Sequence, residues 1–461
     1  MDIASVLADH AVGLKFEALP AEVVEHAKKI VLDTLGAAIA GSTAPGVDAL
    51  VDLARDWGGK AEGRVLVHGD RVPITHAGCI NAAMARGHDF DEFHEKAIVH
   101  GAASVVPAML GVAERVGKVS GRDFLCAMVL GMDVMARLGL SLKRSPNVTG
   151  ISSTYQTSTF AVALAAAKLL RLDRTQTLHS LGIAYGQAGG NSQCVIEGSV
   201  MVHIQQGLST QAGILSALLA QKGIDGPREV FQGQFGYFPV FHQNQYDPAL
   251  ITRDLGRRFE TSNVSIKLFP CCLCTHAAIS AILQLCAEEP IDAREVEQVR
   301  VGVTQGNYNI VCQPLEQRRN PSTFKEAVFS LPYTVASALV RGHVLLDDFT
   351  PEAIREERVR AISNRVTPVV DPAIDEQYGR TLGPADVEVA LKNGRRRSRR
   401  VEFVRGHPEN PATFDDVVEK FRNCLRFAAK PLDDAKTAAV IEMVKRLETV
   451  PDVSRLVDLV C

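Results

Sequence analysis

Apolar residues recur every third or fourth position in segment after segment of residues 1–264, and this period confines that half of the chain to packed helices. Val23, Val24, Ala27, Ile30, Val31, Leu35 and Ala38 form one such stripe, with Pro20 placed for its first turn and Gly41 closing it. Glu22, Glu25, Lys28, Lys29 and Asp33 lie mostly off the stripe. The run 158–170 is crowded with Ala, and the run 208–223 closes on Gly223, a glycine stop. Aromatic residues make up only 6% of the chain, and Trp57 is the one tryptophan. Small aliphatic side chains must therefore fill the interior, which favours helices that approach closely.

The period changes after about residue 265. Val299, Val301 and Val303 alternate with Gln298, Arg300 and Gly302, as in a half-buried strand. Val387, Val389 and Leu391 alternate ahead of Asn393-Gly394, a strong hairpin turn signal, and the returning arm 395–404 points Val401 and Phe403 the same way. A single helix is expected over 322–342. Helical spacing resumes after the punctuation at 408–413. A chain of 461 residues is too long for one ordinary core. The expected fold is mainly α: a large all-helical domain built from both chain ends (1–264 and 405–461), with a smaller α+β domain (265–404) inserted into it.

Fifty basic against 53 acidic residues leave a net charge of −3, which gives no general attraction to nucleic acid or anionic membranes. The cluster Arg395, Arg396, Arg397, Arg399 and Arg400 lies on one arm of the hairpin without interleaved aromatics and reads as a solvated edge strand. The first residues lack a basic segment followed by an apolar core, so no signal peptide is expected. Charges, Gly or Pro break the apolar stretches, so no membrane-spanning helix is expected either. Ten irregularly spaced Cys in a long chain suit a reducing cytoplasm. Asn147-Val148-Thr149 matches a glycosylation sequon, a triplet that chance supplies often.

Chemistry-bearing side chains are densest between Arg86 and His100, where His88, Asp89, Asp91, Glu92 and His94 also lie. A helix running through Asp89 would place Phe93 one turn along the same face and keep Asp89 and Asp91 from pointing at one spot. Taken alone the segment stays open to several readings. It suits an acidic surface loop or a metal site built on His88, Asp89 and His94.

The ordered motifs make the chain resemble the MmgE/PrpD family. Asp89-Phe90-Asp91-Glu92, then His100-Gly101 before a helix carrying Pro107-Ala108, is similar to the family's Asp-Phe-Asp-Asp and His-Pro-Ser. Lys267-Leu268-Phe269-Pro270-Cys271-Cys272 with Thr275-His276, the segment 324–342, and Gly406-His407-Pro408-Glu409-Asn410-Pro411 resemble three more. The resemblance implies a homodimer of helical domains, each with a smaller lid and a pocket between the two. It implies cofactor-independent, metal-independent lyase or isomerase chemistry on a small carboxylate: dehydration, decarboxylation or epimerisation by proton transfer beside a carboxylate. It assigns Asp89, His100 and Lys267 as catalytic. Arg86, Phe93, Ser152, His203 and His276 are assigned to substrate binding. Asp89 is expected to orient an imidazole, and Arg86 to hold a second substrate carboxylate. Lys267 is expected partly exposed at the pocket mouth. Asp91 is expected only to cap a turn, and Cys271 and Cys272 to be packing residues.

Departures from the family pattern bear on the substrate. Ser152 stands where relatives carry His, Val202 where they carry Lys, Gln205 where they carry a later His, and Phe93 where they often carry Thr. A charge-assisted hydrogen bond contributes roughly 1.5–3 kcal/mol, so losing the lysine should weaken polycarboxylate binding. A substrate unlike citrate or aconitate is expected, with fewer carboxylates or a more apolar substituent. A non-catalytic binding paralogue is the reading from a different class.

Overall fold

The computed structural model describes residues 2–145, 149–379 and 381–461. Asn147 and Val148 of the candidate sequon lie outside the described residues. Two compact units emerge, one of Met1–Ile266 with Thr413–Cys461 and one of Lys267–Ala412. Helix predominates, and strands are few and short.

The first unit is a helical pack. Its principal members are α1 (Ala21–Ala40), α2 (Ile74–Arg86), α3 (Ala102–Val116), α4 (Gly121–Ser141), α5 (Ser153–Leu169) and α6 (Met201–Gln221). α6 lies against both α2 and α5, and α4 covers α5 from another side. Small residues allow this closeness. A Cβ on Gly207 of α6 would sit 2.4 Å from the Cys79 carbonyl oxygen on α2. The interior is aliphatic, as the scarcity of aromatics requires, with Ala161 to Ala167 wholly buried along α5.

α4 corrects one expectation. Among the described residues it is long and apolar enough to cross a membrane, yet 94% of its most apolar window is buried inside the protein. Its inner charges do not break it because Asp133 and Arg137 pair one turn apart at 2.8 Å. The Arg137 guanidinium also gathers the carbonyls of Ile251, Arg253 and Arg258.

The second unit holds a four-stranded sheet of β1 (Val296–Val303), β2 (Val366–Val370), β3 (Ala385–Leu391) and β4 (Arg396–Val401), in the order β2-β1-β3-β4. β1 runs parallel to β2 and antiparallel to β3, and β3 pairs antiparallel with β4. The turn carries Gly394 at φ 82°, which glycine adopts without steric cost. β4 is an edge, and its arginines meet acids: Arg396 with Glu388, Arg399 with Glu288, Arg400 with Asp386 and Glu402. The strand ends at Val401, and Phe403 is exposed rather than sharing the buried side of Val401.

The expected helix over 322–342 is two helices, Phe324–Val328 and Leu331–Arg341. The break lies at Ser330, whose side chain accepts from the Tyr333 N–H and starts the second helix ahead of Pro332. A proline there has no N–H with which to continue the first helix. α7 (Phe414–Leu425) returns the chain to the first unit and packs on α1.

Candidate active site

α2 stops at Arg86, and the chain turns beside the end of α1 through a very close passage. A Cβ on Gly41 would fall 1.8 Å from the Met84 carbonyl oxygen, so only glycine fits there. Asp89 follows with φ 55°, a left-handed conformation that Asp tolerates. The helix expected through Asp89 is therefore absent. Both aspartates reach one group after all: Arg86 Nη1 donates to Asp89 Oδ1 and, at 3.1 Å, to Asp91 Oδ1.

The second oxygen of Asp91 stands 2.8 Å from Nδ1 of His100. Asp91 is thus the carboxylate on the imidazole, a role expected of Asp89. Asp91 and Glu92 are wholly buried, while His100 keeps 8% exposure. The Phe93 ring packs on the imidazole with centroids 4.7 Å apart. The segment is consequently no acidic surface loop. Burial disfavours the charge on Arg86, but Asp91 and Asp89 outweigh it and push the guanidinium pKa above its ordinary value. With two carboxylates on it in a buried position, Arg86 does not present a cation for a substrate carboxylate.

Several elements hold this turn. Lys420 of α7 donates to the Phe90 carbonyl, lies over the Phe90 ring at 3.8 Å and pairs with Asp33 of α1 at 2.5 Å. Glu92 accepts from the Ala102 N–H at 2.6 Å, at the start of α3. Gln206 of α6 donates to the His100 carbonyl at 3.3 Å and also to Ser104 and Ser158. Behind α5's first turn, Ser153 and Thr154 donate to the Ile98 carbonyl at 2.9 and 3.3 Å.

Tyr155 lies within electrostatic reach of Arg86, Asp89 and Asp91, and burial raises its phenol pKa. Its hydroxyl donates to the Val202 carbonyl at 2.5 Å, which brings the Val202 backbone beside the site. Sequence reasoning missed Tyr155 and Glu92 and gave Asp91 too small a part. Gly87 was the available signal: a stop directly after Arg86 releases the next residues from helical spacing.

The remaining expected residues go elsewhere. Ser152 starts α5 without a side-chain cap bond, its N–H donating to the Gly190 carbonyl at 3.3 Å. His203 is fully buried, with Nε2 on the Pro45 carbonyl at 2.9 Å. His88 turns to the Ala40 carbonyl, and His94 pairs with Glu260 at 3.3 Å. The three donors of the metal reading thus meet separate partners.

In the second unit, Lys267 is 2% exposed, not partly exposed as expected. It continues the buried run Val264, Ser265 and Ile266, so its stem is covered as well. The Cys274 thiol lies within its electrostatic reach. His276 is buried, bonds to the Cys271 carbonyl at 3.2 Å and meets the Phe269 ring edge-on. Cys271 is buried and contacts Thr275, while Cys272 is half-buried.

Chemically, the first unit builds a carboxylate–imidazole pair locked by a guanidinium. Asp91 Oδ2 occupies the Nδ1 side of the imidazole at 2.8 Å, so Nε2 is the ring nitrogen on the side away from that carboxylate. The sequence matches the family model described as the MmgE/PrpD N-terminal domain over residues 5–249 and the C-terminal domain model over 269–448. It is 29% identical to a cis-aconitate decarboxylase-like protein of Aspergillus oryzae, covering 100% of this chain and 97% of that one. It is 28% identical to the cis-aconitate decarboxylase of Homo sapiens (97% and 92% covered). Identity to the 2-methylcitrate dehydratase of Cupriavidus necator is 23% (92% and 90% covered).

Proposed function

We propose that this chain, which belongs to the MmgE/PrpD family, is a cofactor-independent lyase that moves a proton at a carbon beside a carboxylate of a small acid. The observation that carries this reading is the Arg86–Asp91–His100 chain, buried except for a margin of the imidazole. A carboxylate on Nδ1 fixes the tautomer and stabilises the imidazolium, so Nε2 accepts or returns the proton. Lys267 is assigned to neutralise a substrate carboxylate or the carbanionic charge that develops when the proton leaves.

The substrate is proposed to differ from those named for the relatives. Val202 is an apolar, buried side chain where the resemblance implies a lysine, and Arg86 is already neutralised. Incubation with mono-, di- and tricarboxylates in deuterium oxide tests the whole reading. Loss of water or carbon dioxide from any of them supports it. Deuterium incorporation without net conversion makes the protein an isomerase, and no exchange at all makes it a binding protein. Turnover of cis-aconitate or 2-methylcitrate at enzymatic rates, on the order of 1–10³ per second, would overturn the altered specificity.

We further propose a homodimer formed through the helical unit, in a reducing cytoplasm. α6 carries no Asp, Glu, Lys or Arg, and its exposed Met201, Leu208 and Leu215 recur at intervals of seven, so they share one face. Sedimentation as a monomer near the 49.8 kDa chain mass would contradict the dimer. All ten cysteines are free thiols, which suits that compartment.

A further inference from the structure

Glu92 has no part in the proton relay itself, yet it is wholly buried next to it. The charged groups facing it come from every element around the turn. Arg86 ends α2, Asp89 and Asp91 lie on the turn, His100 precedes α3, Asp33 faces it from α1, and Lys420 reaches in from α7. Asp33 pairs with Lys420, Asp89 with Arg86, and Asp91 with Arg86 and His100. Two cations, Arg86 and Lys420, and the His100 imidazole therefore answer the three aspartates. Glu92 is a fourth carboxyl, and among the described residues no cation pairs with it. Its Oε1 accepts from the Ala102 N–H, the Gly101 N–H also bonds to the carboxyl, and its Oε2 is buried and meets no cation among the described residues. An unpaired carboxylate so placed is far costlier to bury than a neutral acid.

We propose that Glu92 is a neutral carboxylic acid that serves as a positioning residue for the Asp91–His100 pair. Its backbone continues directly from Asp91, and its side chain fastens the turn to the residue two beyond His100. One carboxyl thus sets the spacing between the two members of the pair, while its neutrality leaves Asp91 as the charge the imidazole senses. Burial first, and the negative charge of Asp91 second, push the Glu92 pKa up to about 8 from the ordinary 4.5. Between those values the folded protein keeps a proton that the unfolded chain has released. Stability therefore falls as pH rises through this window.

The inference rests on the proton-transfer reading, and its test separates the two. Glu92→Gln keeps the acceptor and removes the titration. Its melting temperature relative to wild type should rise steadily from pH 5 to pH 8, a readout that needs no substrate. On a carboxylate found to be turned over, Glu92→Gln should keep near-normal kcat/KM at pH 7 and lose the alkaline fall that ionised Glu92 imposes. Glu92→Ala, with the tether gone, should lose kcat by about 10²-fold, the scale of a small misplacement of reacting groups. A melting difference that is flat with pH would show Glu92 already ionised and overturn the neutral acid. A Gln variant as impaired as the Ala variant, or an Ala variant with unchanged kcat and pH profile, would overturn the positioning role. If no carboxylate is processed, the proposed function fails while the melting series still decides the protonation state.

Discussion

Two stretches of this chain are crowded with charge, and they live under opposite physical rules. Around Arg86 to His100, three buried aspartates are each held by a specific neighbour, with Glu92 buried beside them. Along β4, four arginines and their acid partners lie at the edge of a sheet, and Arg396 and Glu388 pair there with side chains 68% and 36% exposed. In water an ion pair is a weak contact that side-chain entropy and salt erode. In a dry interior, losing one partner leaves a charge with nowhere to go, so the first cluster is fixed in geometry while the second mainly blocks unwanted strand pairing.

The strongest challenge to that contrast is His100→Gln. If the buried cluster exists for proton transfer, kcat on the true substrate should fall by about 10²–10⁴-fold, measured by steady-state kinetics, with the fold retained. Arg86→Met comes next and addresses stability. Stripping the guanidinium from Asp89 and Asp91 should cost roughly 3–5 kcal/mol in denaturant unfolding, as for other broken buried pairs. Lys267→Ala follows. It should lower kcat/KM by about 10²-fold, or roughly 2.7 kcal/mol of transition-state stabilisation, and near-normal activity would remove Lys267 from the site. The smallest effect belongs to the exposed cluster. Arg396→Gln should change stability by less than about 1 kcal/mol, and the change should shrink in high salt. A large, salt-insensitive loss there would erase the distinction between the two stretches.

The sequence spoke plainly wherever one local period governs a long stretch. The stripe from Val23 to Ala38 lies within α1, and the alternation at Val299, Val301 and Val303 is β1. Its silence began where distant residues decide. Lys420 reaches Phe90 from 330 residues away and Asp33 from further still, and no spacing rule reports that. The family resemblance gave Asp89 the imidazole that Asp91 meets, and extending helical geometry past Gly87 kept the two aspartates apart. Reading Arg86 as a substrate cation ignored the acids three and five residues on that pair with it. Lys267 was expected to be partly exposed because it follows directly on the domain change, whereas it and the run from Val264 that precedes it are buried. Within 322–342, apolar content hid the start signal at Ser330 and Pro332.

The grip of α7 on the Phe90 carbonyl also orders events in time. A ribosome releases the first unit's helices early, but Lys420, the partner of Asp33, leaves it only after residues 267–412 have been made. Until then the turn that carries Asp91 lacks the Lys420 contact. The contiguous second unit has all of its residues before the first unit does. The contact of Lys420 with the turn can therefore form only after every residue of the second unit has been made.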